Sequence, residues 1–242
     1  MAVFGSLRRQ AGPERARARL VCFPHAGGAA NYYLRWRTLV PTDVELVAVQ
    51  YPGRQDRFGD RLATDMDELV RGLLPDLERL GDLPTVFLGH SKGASVAFES
   101  VRRLSWRPAL LVVSARPAPS LVGTARPAMN NDDEMLARLD RLGGLQREVL
   151  ADPELRELVL PVLRADYRVV ESYRPEPGAR TDVDILAAGG DRDPEVEVAA
   201  VGAWREATTG DFTLEIFEGG HFYVEQHART LVRKALGRVP VR

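Results

Sequence analysis

Cysteine is nearly absent from this 242-residue sequence: it occurs once, as Cys22, which rules out an intramolecular disulfide or a cysteine-based metal cluster. Flanked by Leu20, Val21 and Phe23, that thiol reads as a small core residue, and a reducing, cytoplasmic setting is expected. Histidine is sparse as well. His25, His90, His221 and His227 lack metal-ligand spacing, so no metal is expected. Neither a P-loop nor a dinucleotide fingerprint occurs, and no bound cofactor is expected. An excess of charge of either sign is missing too. The formal net charge of −1 provides no global field for nucleic acid or a membrane surface, and neither is expected as a partner. Lysine is confined to Lys92 and Lys234, the remaining basic residues being arginine. No apolar run approaches the length of a membrane span. Residues 1–19 are arginine-rich and lack the apolar stretch of a signal peptide; about the first 15 are expected to be loosely ordered. Repeats, low-complexity tracts and linkers are also missing, so residues 1–242 are read as a single domain.

What is present is the mixture of an ordinary globular protein, 45% hydrophobic and 28% charged, long enough to bury a core without disulfides or metals. Short apolar or β-branched runs at 19–23, 44–50, 85–88, 109–114, 183–188 and 212–217 predict strands, and their continuity suits burial on both faces. Between them lie helical stripes. Met66, Leu69, Val70, Leu73, Leu74, Leu77 and Leu80 mark a helix over 65–80, and Val96, Ala97, Phe98, Val101 and Leu104 one over 94–104. Further helices are predicted at 194–207 and 222–236. Strand alternating with helix predicts an α/β fold, a mostly parallel central sheet with helices on both faces. Residues 117–181 break the rhythm. They contain no strand pattern, only helical ones at 132–142, near 145–151 and at 154–173, with Asn131 or Asp132 placed to cap the first. The segment is too long for a plain crossover and is read as a helical lid over the carboxyl edge of the sheet.

Gly89-His90-Ser91-Lys92-Gly93 has the form G-x-S-x-G. In a chain of this composition the pattern arises by chance about 0.06 times, so its setting decides its meaning. It follows the strand-like Thr85-Val86-Phe87-Leu88 and precedes a helix, the strand–turn–helix context of a nucleophile elbow. Such a turn is strained, and flanking glycines remove side chains that would clash. Phe23-Pro24-His25-Ala26-Gly27-Gly28 follows the first predicted strand, where a small-residue loop lets a backbone N–H approach a substrate carbonyl. The N–H groups of Ala26 and Lys92 are therefore candidates for an oxyanion hole. Among the histidines, His221 alone sits on a loop after a late strand, behind Glu218-Gly219-Gly220, and is the candidate base. The acid is sought in Gly189-Gly190-Asp191-Arg192-Asp193-Pro194. Asp193 is preferred because it lies farther past the strand end, with Asp191 left to cap the turn. The chain order Ser…Asp…His is that of the α/β-hydrolase fold.

Together these stretches resemble the type II thioesterases that accompany modular polyketide and nonribosomal peptide synthetases. The resemblance is carried by 23–28, Tyr51-Pro52-Gly53-Arg54, Gly89-His90-Ser91, Gly93-Ala94, Ser114 with Arg116-Pro117-Ala118-Pro119, Asp191-Arg192-Asp193-Pro194, Trp204-Arg205-Glu206 and Gly219-Gly220-His221-Phe222, in order along most of the chain. It implies hydrolysis of acyl groups from the phosphopantetheine arm of acyl or peptidyl carrier proteins, with Ser91, Asp193 and His221 as catalytic residues and no cofactor beyond that arm. It also implies removal of aberrant acyl units from a biosynthetic assembly line. A monomer is expected. Alternatives are a product-releasing or fatty-acyl chain-terminating thioesterase, a small-ester carboxylesterase, or a non-catalytic binding protein. The family usually carries an uncharged residue such as methionine after the nucleophile, where this chain has Lys92, and Ser-Gly-Arg where this chain has Ser114-Ala115-Arg116. Carrier proteins are commonly acidic, which makes Arg35, Arg37, Arg54, Arg57 and Arg61 candidates for a basic entrance surface, against the simpler reading that they are solvated.

Overall fold

The computed structural model describes residues 2–10, 12–13, 15–122, 131–144 and 152–239. Among these, eight strands form one sheet: β1 (Ala2–Phe4), β2 (Leu7–Arg9), β3 (Ala18–Phe23), β4 (Val44–Val49), β5 (Thr85–His90), β6 (Leu110–Ser114), β7 (Ile185–Gly190) and β8 (Phe212–Phe217), in the order β1-β2-β4-β3-β5-β6-β7-β8. β2 runs antiparallel to both of its neighbours, β1 and β4, and the other pairings are parallel. Helices α1 (Ala30–Leu34), α2 (Met66–Leu77), α3 (Lys92–Arg103), α4 (Asp132–Leu142), α5 (Pro153–Ser172), α6 (Val198–Gly202) and α7 (Val224–Leu236) connect or cover them.

The largely apolar runs of β3 to β6 follow from burial on both faces, the buried Arg19 of β3 and Glu45 of β4 being paired with each other. Val21, Phe23, Val47, Phe87 and Val113 point to the side packed by α2 and α3, against Leu73, Leu77, Phe98 and Val101. Leu20, Cys22, Leu46, Leu88 and Val112 point to the other side, against Tyr33, Trp36, Leu231, Val232 and Ala235. Caps fix the helix starts: the Asp65 carboxylate accepts the Glu68 N–H at 2.8 Å, and the Asn131 side chain accepts the Glu134 N–H at 2.9 Å. The segment between β6 and β7 places α4 and α5 together through Met135, Leu136, Leu139 and Leu163. The helix expected near 145–151 lies outside the described residues.

Two expectations are corrected. The N-terminal residues do not hang loose. Residues 2–9 form a hairpin whose second strand adds to the sheet edge, Leu7 opposite Val49. Gly5 turns the hairpin at φ +52°, and Ser6 donates its N–H and hydroxyl to Asp76 at 2.7 and 2.8 Å. Arg8 hides the pattern from a hydrophobicity reading. It is only 2% exposed because its guanidinium pairs with Asp56 at 2.7 Å and donates to the carbonyls of Gly5 and Leu7. The helix expected at 194–207 is confined to α6 and a 3₁₀ turn at Ala203–Ala207. The reason is local: one oxygen of the Asp193 carboxylate accepts the N–H groups of Glu195 and Val196, holding the segment before α6 in a turn.

Candidate active site

The parallel strands end at one edge, and four of the loops leaving them converge there. Ser91 follows β5 directly and opens α3, with φ +53° and ψ −121°. That conformation is strained for a residue with a side chain and persists because its surroundings hold it. The Ser91 N–H donates to the Ser114 carbonyl at 2.8 Å. A Cβ at Gly89 would lie 2.2 Å from the Gly93 carbonyl oxygen, and one at Gly93 would lie 2.0 Å from that of Phe23. Both glycines are thus demanded by contact between β3, the turn and α3.

His221 stands on the loop after β8, 5% exposed. Its Nε2 lies 3.0 Å from Ser91 Oγ and its Nδ1 lies 2.8 Å from Asp193 Oδ2. The Asp193 side chain is fully buried, and its other oxygen is taken by the two backbone amides before α6. With Nδ1–H donating to the carboxylate, Nε2 is left to accept the serine proton. Asp191 has a different part: its carboxylate accepts the Gly219 N–H at 2.8 Å, and Gly219, at φ +135°, begins the turn that presents His221. Side chains that the sequence reading placed 28 and 130 positions from His221 therefore meet at one imidazole.

Two more histidines flank it. His90 is buried, its ring 5.3 Å from that of His221, and it joins Ser114 Oγ at 2.9 Å, which in turn meets Tyr223 Oη at 2.7 Å. Burial, then the neighbouring His221 and His25, hold its pKa well below the usual imidazole range. His25, under the loop after β3, is pushed down to about 3, first by burial and then by His221 and Lys92. Both rings are neutral at neutral pH.

A buried charged cluster lies behind the serine turn, and the sequence reading missed it. Lys92, 0% exposed, sets its Nζ 4.0 Å from the Tyr51 ring centroid and donates to Asp166 Oδ1 at 2.5 Å. Asp166 Oδ2 accepts from Arg54 and, at 2.7 Å, from the Gly27 N–H. Burial pushes the Lys92 ammonium down to about 7, with Asp166 opposing and Arg54 reinforcing the shift. Burial raises the Asp166 carboxyl, and Arg54 and Lys92 overcome it to leave its pKa low. Arg54 is therefore no entrance residue; it is buried and also donates to the carbonyls of Gly28 and Pro52. Of the other arginines proposed for that surface, Arg37 and Arg57 are half-buried and donate to backbone carbonyls, while Arg35 and Arg61 are exposed. A signal for Asp166 was present: it falls on the buried stripe Val162, Leu163, Asp166, Val169 of α5, where an acid is out of place unless paired.

A cavity of about 450 Å³ opens over Ser91, His221 and Ala26. Its far wall is supplied by the segment between β6 and β7, including Leu121, Leu142, Tyr167 and Val170. Arg138 of α4 pairs with Glu195, two residues beyond Asp193, tying that wall to the acid loop. Among the described residues, no group of three or more histidine, cysteine or acidic side chains is placed to hold a metal.

The sheet order, the strained serine turn after β5 and the histidine loop after β8 define an α/β-hydrolase. Residues 18–237 match the thioesterase domain family, and the chain belongs to that family of hydrolases. It is 43% identical over 213 residues to the thioesterase PikA5 of Streptomyces venezuelae, covering 85% of this chain and 75% of that one. It is 40% identical over 224 residues to the "Probable cadicidin biosynthesis thioesterase" of Streptomyces griseus, covering 91% of this chain but spanning only 62% of that protein. The solved structure of the type II thioesterase BorB from the borrelidin biosynthetic cluster superposes with a TM-score of 0.88 at 38% identity, over 99% of this chain and 100% of that one.

Proposed function

We propose that this chain is a type II thioesterase that releases acyl groups from the phosphopantetheine arm of acyl or peptidyl carrier proteins, clearing aberrant units in polyketide or nonribosomal peptide synthesis. The observation that carries the reading is the series Ser91 Oγ, His221 Nε2, His221 Nδ1 and Asp193 Oδ2, at 3.0 and 2.8 Å, facing the 450 Å³ chamber. His221 takes the proton of Ser91 while Oγ attacks the thioester carbonyl carbon. Asp193 holds the imidazole tautomer and offsets its developing charge. The oxyanion is received by the N–H groups of Ala26, at the chamber wall, and of Lys92, in the first turn of α3, where N–H groups have no carbonyl within the helix. The pantetheine thiol leaves with the proton from His221, and an acyl-serine ester remains. Water, deprotonated by His221, then frees the carboxylic acid and restores Ser91. No cofactor enters this scheme.

The helical segment at 117–181 acts as a lid that shapes the chamber, within a single domain that works as a monomer in the cytoplasm. No helix among the described residues is long and apolar enough to cross a membrane. The test is intact-mass spectrometry of an acylated carrier protein before and after exposure to enzyme. Wild type should strip the acyl mass, and Ser91→Ala should slow this by about 10⁴-fold or more. Release by Ser91→Ala at the wild-type rate would overturn the assignment, and turnover of small alcohol esters with indifference to carrier-bound substrate would redirect it to a carboxylesterase.

A further inference from the structure

Asp166 belongs to α5, in the inserted segment, yet its carboxylate ends inside the loop after β3. There, residues 25–28 form a tight turn: the Gly28 N–H donates to the His25 carbonyl at 3.1 Å, and Gly27, third in the turn, has φ +75°. A positive φ at that position gives the turn its type II form, in which the peptide joining Ala26 to Gly27 is flipped relative to a type I turn. The N–H of that peptide is the one that Asp166 Oδ2 accepts, at 2.7 Å. The same helix closes the turn from above, since a Cβ at Gly27 would lie 2.6 Å from Leu163 Cδ2. Helix α5 thus both covers the turn and holds its central peptide.

The charges around Asp166 point the same way. The carboxylate is 4% exposed, and its two cations, Lys92 and Arg54, are 0% and 6% exposed. Removing such groups from water costs several kcal/mol per ion, and a buried pair seldom repays this better than apolar packing does. The cluster is therefore poorly explained as a stabilising device. What it does uniquely is join three segments: Lys92 begins the helix behind Ser91, Arg54 braces the Gly28 and Pro52 carbonyls, and Asp166 reaches both of them and Gly27 from α5.

We propose that Asp166 is a positioning residue: it transmits the seating of α5 to the turn at 25–28, so that the Ala26 N–H is aimed above Ser91 only when the helical insertion is in place. The inference rests on the oxyanion reading of Ala26 given above. Completion of the chamber and completion of the oxyanion site are then a single event, and an enzyme with α5 displaced binds no acyl group productively.

Steady-state kinetics on an acyl-carrier protein, normalised to folded protein by circular dichroism, tests this with Asp166→Ala and with the double variant Lys92→Met/Asp166→Asn. In the double variant the amide oxygen can still accept from Gly27 and Arg54, and its NH₂ group faces methionine rather than an ammonium. Asp166→Ala should lower kcat by about 100-fold, the loss typical of one oxyanion donor, with KM within about threefold. The double variant should recover to within about tenfold of wild type. A kcat for Asp166→Ala within about threefold of wild type overturns the proposal, as does a double variant no better than the alanine. If Asp166→Ala does not fold, wild-type hydrogen exchange decides: the Gly27 amide should open together with the amides of α5, and exchange at the rate of an unprotected peptide overturns it. Ala26→Pro, which deletes the N–H itself, separates the two readings. An inactive proline variant beside a fully active Asp166→Ala leaves the oxyanion assignment standing and ends this one, whereas a fully active proline variant ends both.

Discussion

At the scale of single residues, the two carboxylates after β7 separate by what they touch. Asp193 meets the His221 ring, whereas Asp191 meets the Gly219 backbone and the neighbouring Arg192 guanidinium. Asp193→Asn should leave the fold intact and lower kcat by about 10⁴-fold, because the amide favours the wrong tautomer of the imidazole. Asp191→Ala should cost about 1 kcal/mol of stability for one hydrogen bond, and less than about tenfold in kcat. Parallel kinetics and thermal melts of the two variants check this, and equal losses of activity would reverse the roles. Lys92 makes a prediction of another kind. Its folded-state pKa, pushed down to about 7, lies below the ordinary 10.5, so between those values the unfolded chain holds more protons than the native one. Stability contributed through this group therefore rises with pH across that window, and the cost of burying the ammonium is fully present below it. Lys92→Met should remove that dependence: relative to wild type its melting temperature gains most near pH 6 and least near pH 10. A pH-independent difference between the two melting curves would contradict the shift.

At the scale of elements, the turn holding Ser91 is set by contacts that leave no room for a methyl group. Gly93→Ala would place Cβ 2.0 Å from the Phe23 carbonyl oxygen, backbone against backbone, so α3 and β3 must part. The expected cost is about 3 kcal/mol or more in stability, with kcat lowered by about 100-fold as Ser91 shifts relative to His221. Urea unfolding and kinetics on the same preparation measure both. This turn was legible in the sequence because everything it needs is local: an apolar run, two glycines, a serine between them and a helical stripe after. The strands from β3 to β7 were legible for the same reason, each being a run buried on both faces, and β8, half-buried at the far edge, was legible from its apolar and β-branched residues. For Asp166 the helical stripe signals that the acid must be paired but not with what, since its partners Lys92 and Gly27 lie 74 and 139 positions away. Helix α6 was misjudged in length because the capping carboxylate of Asp193, one residue before the expected start, holds the next residues in a turn.

For the whole molecule, the sheet's N-terminal edge is closed by the hairpin of residues 2–9, which pairs Leu7, Arg8 and Arg9 with β4. Removing residues 1–10 would uncover the backbone of β4, strip Leu7 from the core and leave Asp56 without Arg8. The truncated protein should lose at least about 2 kcal/mol from Leu7 alone and should associate through the bare edge. Light scattering against concentration, beside a melting curve, reads both effects; a truncated form that stays monodisperse with an unchanged melting temperature would show the hairpin to be dispensable.

The ties between the inserted segment and the hydrolase core include Arg138 on Glu195 beside the acid loop, Asp166 on Gly27 beside the turn after β3, and the Tyr173 hydroxyl on Glu99 of α3. Exchanging residues 117–181 with a relative's equivalent segment is a direct way to trade the far wall of the chamber. A donor segment without the Asp166 carboxylate would leave the buried Arg54 guanidinium without its counter-charge and push the Lys92 amine further toward its neutral form. Grafts of this kind should therefore keep an acceptor at position 166 wherever the host retains Arg54 and the turn at Gly27.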